Sequence, residues 1–535
     1  MKKTLLIMVL VSLIACSSSP ASQKPLANDG INGLYARSIE QVLRLQPDEI
    51  DLATAALIIS EQWSDMVNGR RYLSELDEMA YEIRERLEEK KIVATFKAVE
   101  VINDYLFEEL RFRSVKKADK AEDLFLHSVM DNKRGYCLSL SVLYLSIGER
   151  LGLPLYGVVV PGHFFVRYDD GRIRFNIETT GGGGYNTDEH YINKFKVPED
   201  SEDTIYMKNL NKLQTLGCFF NNLGNVYSEI GDIDTAQLAL ERAVEINPSL
   251  AETRTNLGNI YLRKDRIEDA IYEYRSAIGI NPNDSKTHNN LGNAYTKKQW
   301  YGEAIAEYTY SLRMDANFID CYMNLASVYS KRKMYSEAIE ELKQALSIEP
   351  RNADLYCQLG DVYYQKDDYE LAVTQYKNAL KYNRGLAEAY LGLAGSYGKQ
   401  GLEKEEIKAY KKAISIKPDM TVAIAYLGNA YFTQKKYDKA IEQYKKALSL
   451  GGGDVWIYYN LAAAYSNEED YEQAVPVYEK ALAIDSGNGD AHYQLSYAYY
   501  KLKKYEPALK HIGAARQLGV EVDEELLKAI TDKLE

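Results

Sequence analysis

Cysteine is scarce: the 535-residue chain has 5. That is too few for a disulfide scaffold. None of the five stands in a Cys-x-x-Cys spacing, so no zinc site is suggested. Phenylalanine and tryptophan are also few, 12 and 3, against 45 tyrosines. Such a bias marks a repeat in which Tyr holds a fixed structural position. Excess positive charge is missing; the formal net charge is -13, which argues against unassisted nucleic-acid binding. After Ala15 no run is long and apolar enough to span a bilayer. What is present, 46% hydrophobic and 27% charged residues, is an ordinary globular composition, and the length calls for more than one folded unit.

The N-terminus reads as an address. Lys2 and Lys3 carry positive charge, Leu5 to Ala15 are almost wholly apolar, and Cys16 follows. The apolar run is too short for a mature transmembrane helix and suits a signal h-region. Leu13-Ile14-Ala15-Cys16 resembles a bacterial lipobox. That resemblance implies cleavage before Cys16, diacylglycerol on its thiol and further acylation of its amine, which together give stable anchoring. The alternative is a secretory signal with a chance cysteine. Ser17 to Gly30, rich in Ser, Pro and Ala, reads as a flexible tether. Ser17 after the cysteine implies, again by resemblance, an outer-membrane lipoprotein facing the periplasm. The expected order is thus signal peptide 1–15 and lipidated tether 16–30, on a protein of the bacterial cell envelope.

The C-terminal half is periodic. Leu223 recurs as Leu257, Leu291, Leu325, Leu359, Leu393, Leu427, Leu461 and Leu495, always 34 residues apart. Tyr227, four residues on, recurs in the same register through Tyr499. The residue after each Leu is small, from Gly224 to Ser496, and further small columns begin at Ala236 and Ala243. Pro248, Pro282, Pro350 and Pro418 close several units. A 34-residue unit holds two antiparallel helices. Leu and Tyr four apart share one face of the first, small residues let the second approach, and Pro stops it. No such unit buries its apolar face alone, so neighbours stack. The pattern resembles the tetratricopeptide (TPR) family over Gly217 to Val522, nine units, with 523–535 as a capping helix. Some units depart from it: Glu406 replaces a small residue, Ser311 and Ala316 replace Ala and Pro, and Gly451-Gly452-Gly453 reads as a bend or a loose loop.

TPR arrays bind peptides or partner helices on the concave face of their first helices, so the resemblance implies protein or peptide partners in that groove. Asn225, Asn259, Asn293 and Asn429 are placed there to pair with a peptide backbone, and Arg263, Lys297, Lys331 and Lys399 to hold a carboxylate. The alternative is that Asn is simply common at that array position.

Between tether and solenoid, Asp51 to Leu87 has helical periodicity, carried by Leu52, Ala55, Ala56, Ile59, Leu73, Leu76, Met79 and Ile83. Val93 to Leu110 reads as another helix, and a third begins near Cys137 and runs to about Leu151, where Gly152-Leu153-Pro154 breaks it. Leu155–Val160, Phe164–Tyr168 and Arg172–Thr179 read as strands, with Asp169-Asp170-Gly171 as a hairpin turn. A thiol at a helix start feels the positive end of the helix dipole, and Lys133 and Arg134 stand close to it in sequence; both effects favour thiolate. An imidazole at His163 is able to exchange a proton with that thiol. An orienting partner on the third strand is Glu178 or, on the same strand face, Asn176. The Cys137 amide is a candidate oxyanion donor. Taken singly, each residue has a bland reading as a small buried thiol or a structural histidine. Cys218, Cys321 and Cys357 read as core residues of the repeats.

From Asp51 to Tyr191, including Asn103-Asp104-Tyr105-Leu106-Phe107, the Cys137 helix start and Gly162-His163-Phe164-Phe165-Val166-Arg167, the segment resembles the SirB-type branch of the transglutaminase-like superfamily. The resemblance implies a papain-like triad at Cys137, His163 and Glu178, with Glu178-Thr179-Thr180 where the family often has Asp-Pro-Thr. It gives the expected fold class: an α+β papain/transglutaminase-like domain over 31–210, followed by an all-α TPR solenoid over 217–522. No cofactor or metal is implied; His127 and His190 are the histidines able to approach the site. Two functions stay open. One is a cysteine hydrolase or acyltransferase acting on protein amides. The other is a non-catalytic scaffold or assembly factor for envelope complexes.

Overall fold

The computed structural model describes residues 36–115, 121–197 and 204–535. The signal segment, Cys16 and the tether therefore lie outside the described residues. The chain forms two compact units, Met1–Ala316 and Asn317–Glu535.

The first unit begins with helices. Asp51 caps the helix Leu52–Trp63 by accepting from the Thr54 amide at 2.6 Å, which satisfies a free N-terminal donor. The helix Gly69–Glu89 buries Leu76, Met79, Ile83 and Leu87, the i, i+3, i+4 stripe that faces a core. The helix expected from Val93 starts at Ala98, runs to Asn103, and widens into a π-helix over Asp104–Glu109. The helix Cys137–Arg150 is buried from Leu138 to Gly148. Its continuous apolar surface follows from being enclosed by helices on one side and a sheet on the other.

That sheet has the order β3-β4-β5-β6, antiparallel throughout: Leu155–Val160, His163–Asp169, Arg174–Glu178 and Gly184–Asn186. A separate parallel pair joins β1, Arg113–Ser114, to β2, Arg134–Gly135. The strands β1, β2 and β6 span only two or three residues, too short to show period-two alternation, and the sequence pattern missed them. Residues 204–210 run along the open edge of β3. The Met207 amide donates to the Val159 carbonyl at 3.1 Å and the Leu210 amide to the Gly157 carbonyl at 2.9 Å. This covers a sheet edge and delivers the chain directly to the first repeat helix. That helix starts at Lys212 rather than Gly217, with Asn211 and Gln214 forming a capping box.

Three helix pairs complete the first unit: Lys212–Glu229 with Ile233–Ile246, Ala251–Arg263 with Ile267–Ile280, and Ser285–Lys297 with Tyr301–Met314. The second unit holds six pairs, from Ile319–Lys331 to Tyr505–Gln517, and a closing helix Glu524–Thr531 that buries Leu526 and Ile530. Tyrosine occupies a second column that the sequence reading did not isolate. Tyr274, Tyr308, Tyr376, Tyr444 and Tyr478 lie in the second helices and are at most 1% exposed. The small residue after each Leu is the seat of this ring: a Cβ on Gly258, Gly292, Gly360 or Gly428 would stand 2.6–2.7 Å from ring carbons.

Departures from the repeat have local causes. Glu406 fits because its neighbour is Gly398, where a Cβ would come within 2.7 Å of the carboxylate. Ser311 is fully buried and donates to the Ser285 carbonyl at 2.8 Å. The Gly451–Gly453 run is a helix stop rather than a loose loop. Gly451 has φ +89° and the Gly452 amide donates to the Ala447 carbonyl at 3.0 Å, satisfying a terminal carbonyl.

Candidate active site

Cys137 is the first residue of its helix and is partly exposed. Its position is fixed from the N-terminal side. Ser139 accepts from the Tyr136 amide at 2.8 Å and donates to the Asp123 carbonyl at 2.8 Å. Arg134 makes two bonds to the buried Asp123 carboxylate, 3.0 and 2.6 Å. Lys133 lies over the Phe112 ring, 4.5 Å from its centroid. Both cations expected to favour the thiolate therefore have other partners, because β2 and the left-handed turn at Lys133 direct them away.

The β3–β4 hairpin turns through Pro161 and Gly162 (φ +71°), so His163 emerges at the first position of β4. Its Nε2 stands 2.8 Å from Glu178 Oε2. It lines one cleft with Cys137, and the thiol favours the charged form of the ring. Phe195 stacks on the imidazole, centroids 4.9 Å apart and planes at 2°. Burial works against the imidazolium, but the influence of Cys137 and the bond to Glu178 outweigh it and raise His163 to about 9.

Glu178 is held on both oxygens. Oε2 also accepts from Tyr191 at 3.0 Å, and Oε1 accepts from the Thr180 amide and hydroxyl at 3.1 and 2.5 Å. Burial opposes its charge; His163 and Thr180 overcome this and bring the carboxyl down to about 2. Asn176 is not beside the imidazole. It accepts from the buried Arg167 and donates to the partly exposed Asp188, each at 2.7 Å. The Asn-Asp-Tyr-Leu-Phe phrase has a structural task. Asn103 accepts from Tyr144 and donates to the Gly183 carbonyl, each at 2.9 Å, which anchors the glycine loop after Glu178.

A cleft of about 300 Å³ opens at Cys137 and His163. Its other wall comes from the first two repeats: Cys218, Asn221, Asn222, Asn225, Glu252 and Asn256. Burial pushes the Cys218 thiol well up, and it is 4% exposed, so it does not compete as a nucleophile. Glu252 accepts from the Gly162 amide at 3.2 Å and from the Tyr206 hydroxyl at 2.5 Å. Sequence reasoning missed this wall, apart from Asn225, because a contact between domains leaves no local period. The Asn221-Asn222 pair was its only visible mark.

The other candidates fall elsewhere. His127 lies among aromatic rings, 6.0 Å from both Tyr72 and Phe125, and His190 stands edge-on to Tyr191. Among the described residues no group of His, Cys, Asp or Glu is arranged to hold a metal ion, and no described helix is long and apolar enough to cross a membrane. In the repeats, Asn259, Asn293 and Asn429 each accept from a buried tyrosine, Tyr274, Tyr308 and Tyr444, at 2.7 Å. Arg263 reaches Ser228 at 2.9 Å and Lys297 the Leu262 carbonyl at 3.2 Å. At Asn259, Asn293 and Asn429 the side chain thus joins the two helices of its own repeat.

Residues 70–200 match the transglutaminase-like superfamily, and tetratricopeptide repeats match over 224–299, 285–318, 331–401, 387–420, 421–487 and 467–530. The chain carries a transglutaminase-like domain followed by multiple TPR repeats. A UPF0162 protein of Xylella fastidiosa (strain 9a5c) is 26% identical over 213 residues, 38% of this chain and 73% of that protein. F-box only protein 21 of Mus musculus is 35% identical over 75 residues, 14% of this chain and 12% of that protein. The crystal structure of MamA is 30% identical, covers 30% of this chain and 95% of its own, and superposes with a TM-score of 0.28. The transglutaminase-like domain thus supplies the thiol, imidazole and carboxylate, and the TPR array supplies a protein-interaction scaffold.

Proposed function

We propose that this protein is a lipid-anchored cysteine hydrolase or acyltransferase of the bacterial envelope that acts on protein amides, with its TPR array recruiting the protein substrate. The observation that carries the reading is the bond between His163 Nε2 and Glu178 Oε2, 2.8 Å, on an imidazole that lines one cleft with Cys137. The carboxylate fixes the ring and stabilises its charged form.

In this reading the Cys137 thiolate attacks the amide carbonyl carbon. The S–C bond forms, and the carbonyl oxygen takes the negative charge, facing the free Cys137 amide at the helix start. The C–N bond then breaks, and the leaving amine takes the proton from the His163 imidazolium. A thioester remains. Water, or an acceptor amine, attacks the thioester and gives its proton to His163. The C–S bond breaks, releasing acid or new amide and restoring thiolate and imidazolium. The lipobox resemblance at Leu13–Cys16 supports the anchor and the outer-membrane location.

The test is amide turnover by full-length protein: ammonia release from, or amine incorporation into, glutamine-containing protein. Activity that disappears in Cys137→Ala and His163→Ala supports the enzyme. The nine-repeat array favours a second reading, a scaffold that binds envelope proteins without chemistry. Undiminished phenotypes in Cys137→Ala, with no turnover by the wild type, would select it.

A further inference from the structure

Among the four repeats that carry Asn two residues after the repeat Leu, the first differs from the others at one position. In the column that holds Asn225, Asn259, Asn293 and Asn429, the residue fifteen places on is Tyr274, Tyr308 or Tyr444 for the last three and Leu240 for the first. Each of those tyrosines donates to its Asn at 2.7 Å. Leu240 has no hydroxyl to offer, so Asn225 keeps both its carbonyl oxygen and its NH2 unspent among the described residues. Asn225 also faces the Cys137 cleft. Beside it the carboxamides form a chain, Asn256 donating to Asn221 at 3.0 Å and Asn221 to Asn222 at 3.4 Å.

The wall is held firmly against the thiol side. Glu252 grips the turn that precedes His163 through the Gly162 amide. Lys212 donates to the Ile50 carbonyl at 2.7 Å and pairs with Glu149, and Trp63 packs on Tyr227, ring centroids 5.5 Å apart. Among the described lining residues there is no lysine or arginine. An anionic group has only the imidazolium to meet there, opposite the Glu252 carboxyl. An amide, which donates and accepts at once, matches a carboxamide wall.

We propose that the first TPR repeat is the substrate wall of the Cys137 site, and that Asn225 reads an uncharged amide of an extended polypeptide. Its carbonyl oxygen accepts from the substrate N–H and its NH2 donates to a substrate carbonyl. This rests on the reading of Cys137 as a nucleophile. The amide is either a glutamine-type side chain or the main chain; both present the same pair of groups.

The test compares three thiol reagents on full-length protein, with labelling of Cys137 followed by peptide mass spectrometry. Methyl methanethiosulfonate carries no amide, iodoacetamide carries a primary amide, and N-iodoacetyl-trialanine amide carries peptide amides. Asn225→Leu and the isosteric Asn225→Asp are each expected to slow the amide-bearing reagents by about five-fold or more relative to methyl methanethiosulfonate, with melting temperatures unchanged. A loss confined to iodoacetamide assigns the side-chain amide; a loss on the peptide reagent assigns the main chain. Unchanged ratios at a rapidly labelled Cys137 overturn the role of Asn225 and leave the thiol site standing. Labelling of Cys137 by methyl methanethiosulfonate no faster than a model thiol overturns both.

Discussion

His163 holds its proton because Cys137 and Glu178 favour the imidazolium more than burial opposes it. Its value rises from 6.5 to about 9 in the fold, so its contribution to stability is complete below pH 6.5 and disappears as pH rises through 9. Glu178 falls from 4.5 to about 2, so its contribution is complete above pH 4.5 and disappears as pH falls through 2. Denaturant titrations of wild type and Glu178→Gln are expected to differ most between about pH 4.5 and 6.5, with the gap closing toward pH 9. A second residue-scale prediction concerns the Asn column. Asn259→Ala leaves the buried Tyr274 hydroxyl without its acceptor and is expected to lower stability by about 1–3 kcal/mol, whereas Asn225→Ala is expected to be near neutral. Cys137 and His163 were legible as residues because a helix start and a strand start are local features. Strand alternation alone left Glu178 and Asn176 open, since both lie on one strand face, and the preference for Glu178 came from the family resemblance. Only the Arg167–Asp188 network, drawn from distant segments, occupies Asn176.

At the scale of the element, each repeat joins its helices through one left-handed residue. Asp265, Gln299, Lys333, Asp367, Lys435, Glu469 and Lys503 take φ between 58° and 63°, and Gly231 and Gly401 occupy the same place. This column is invisible to hydrophobic periodicity, because the residue is selected by backbone shape and not by polarity. The two kinds of glycine in the array separate by mechanism. Gly401 has φ +71° and open space around its Cα, so Gly401→Ala is expected to cost about 1 kcal/mol through backbone strain alone. Gly428 is helical, and an added Cβ meets Tyr444 ring carbons at 2.6 Å. Gly428→Ala is expected to cost about 1–3 kcal/mol by overpacking. Chemical denaturation of both variants checks the pair. Double substitution with Tyr444→Leu should relieve the second and not the first.

At the scale of the whole molecule, the repeat register and the helix–strand order were legible, since both depend on period and on short phrases. The coupling between them was not. The segment 204–210 lies along the β3 edge and leads into the first repeat, so residues of the first two repeats line the Cys137 cleft. The proposed lipid anchor would add a location to this arrangement. Cys16→Ala is expected to shift the protein from the membrane fraction to the soluble fraction of the envelope, as detected by fractionation and immunoblotting. The central claim is that Cys137 and His163 act as a charged pair supported by Glu178. The most direct measurement is the rate of Cys137 alkylation by iodoacetate against pH, in wild type and Glu178→Gln. The imidazolium attracts the anionic reagent, so the wild-type rate should fall as pH rises through about 9, and the fall should begin at lower pH in the variant. A rate that climbs steadily through pH 9 in both proteins, as a free thiol of pKa about 8.5 gives, would contradict the account.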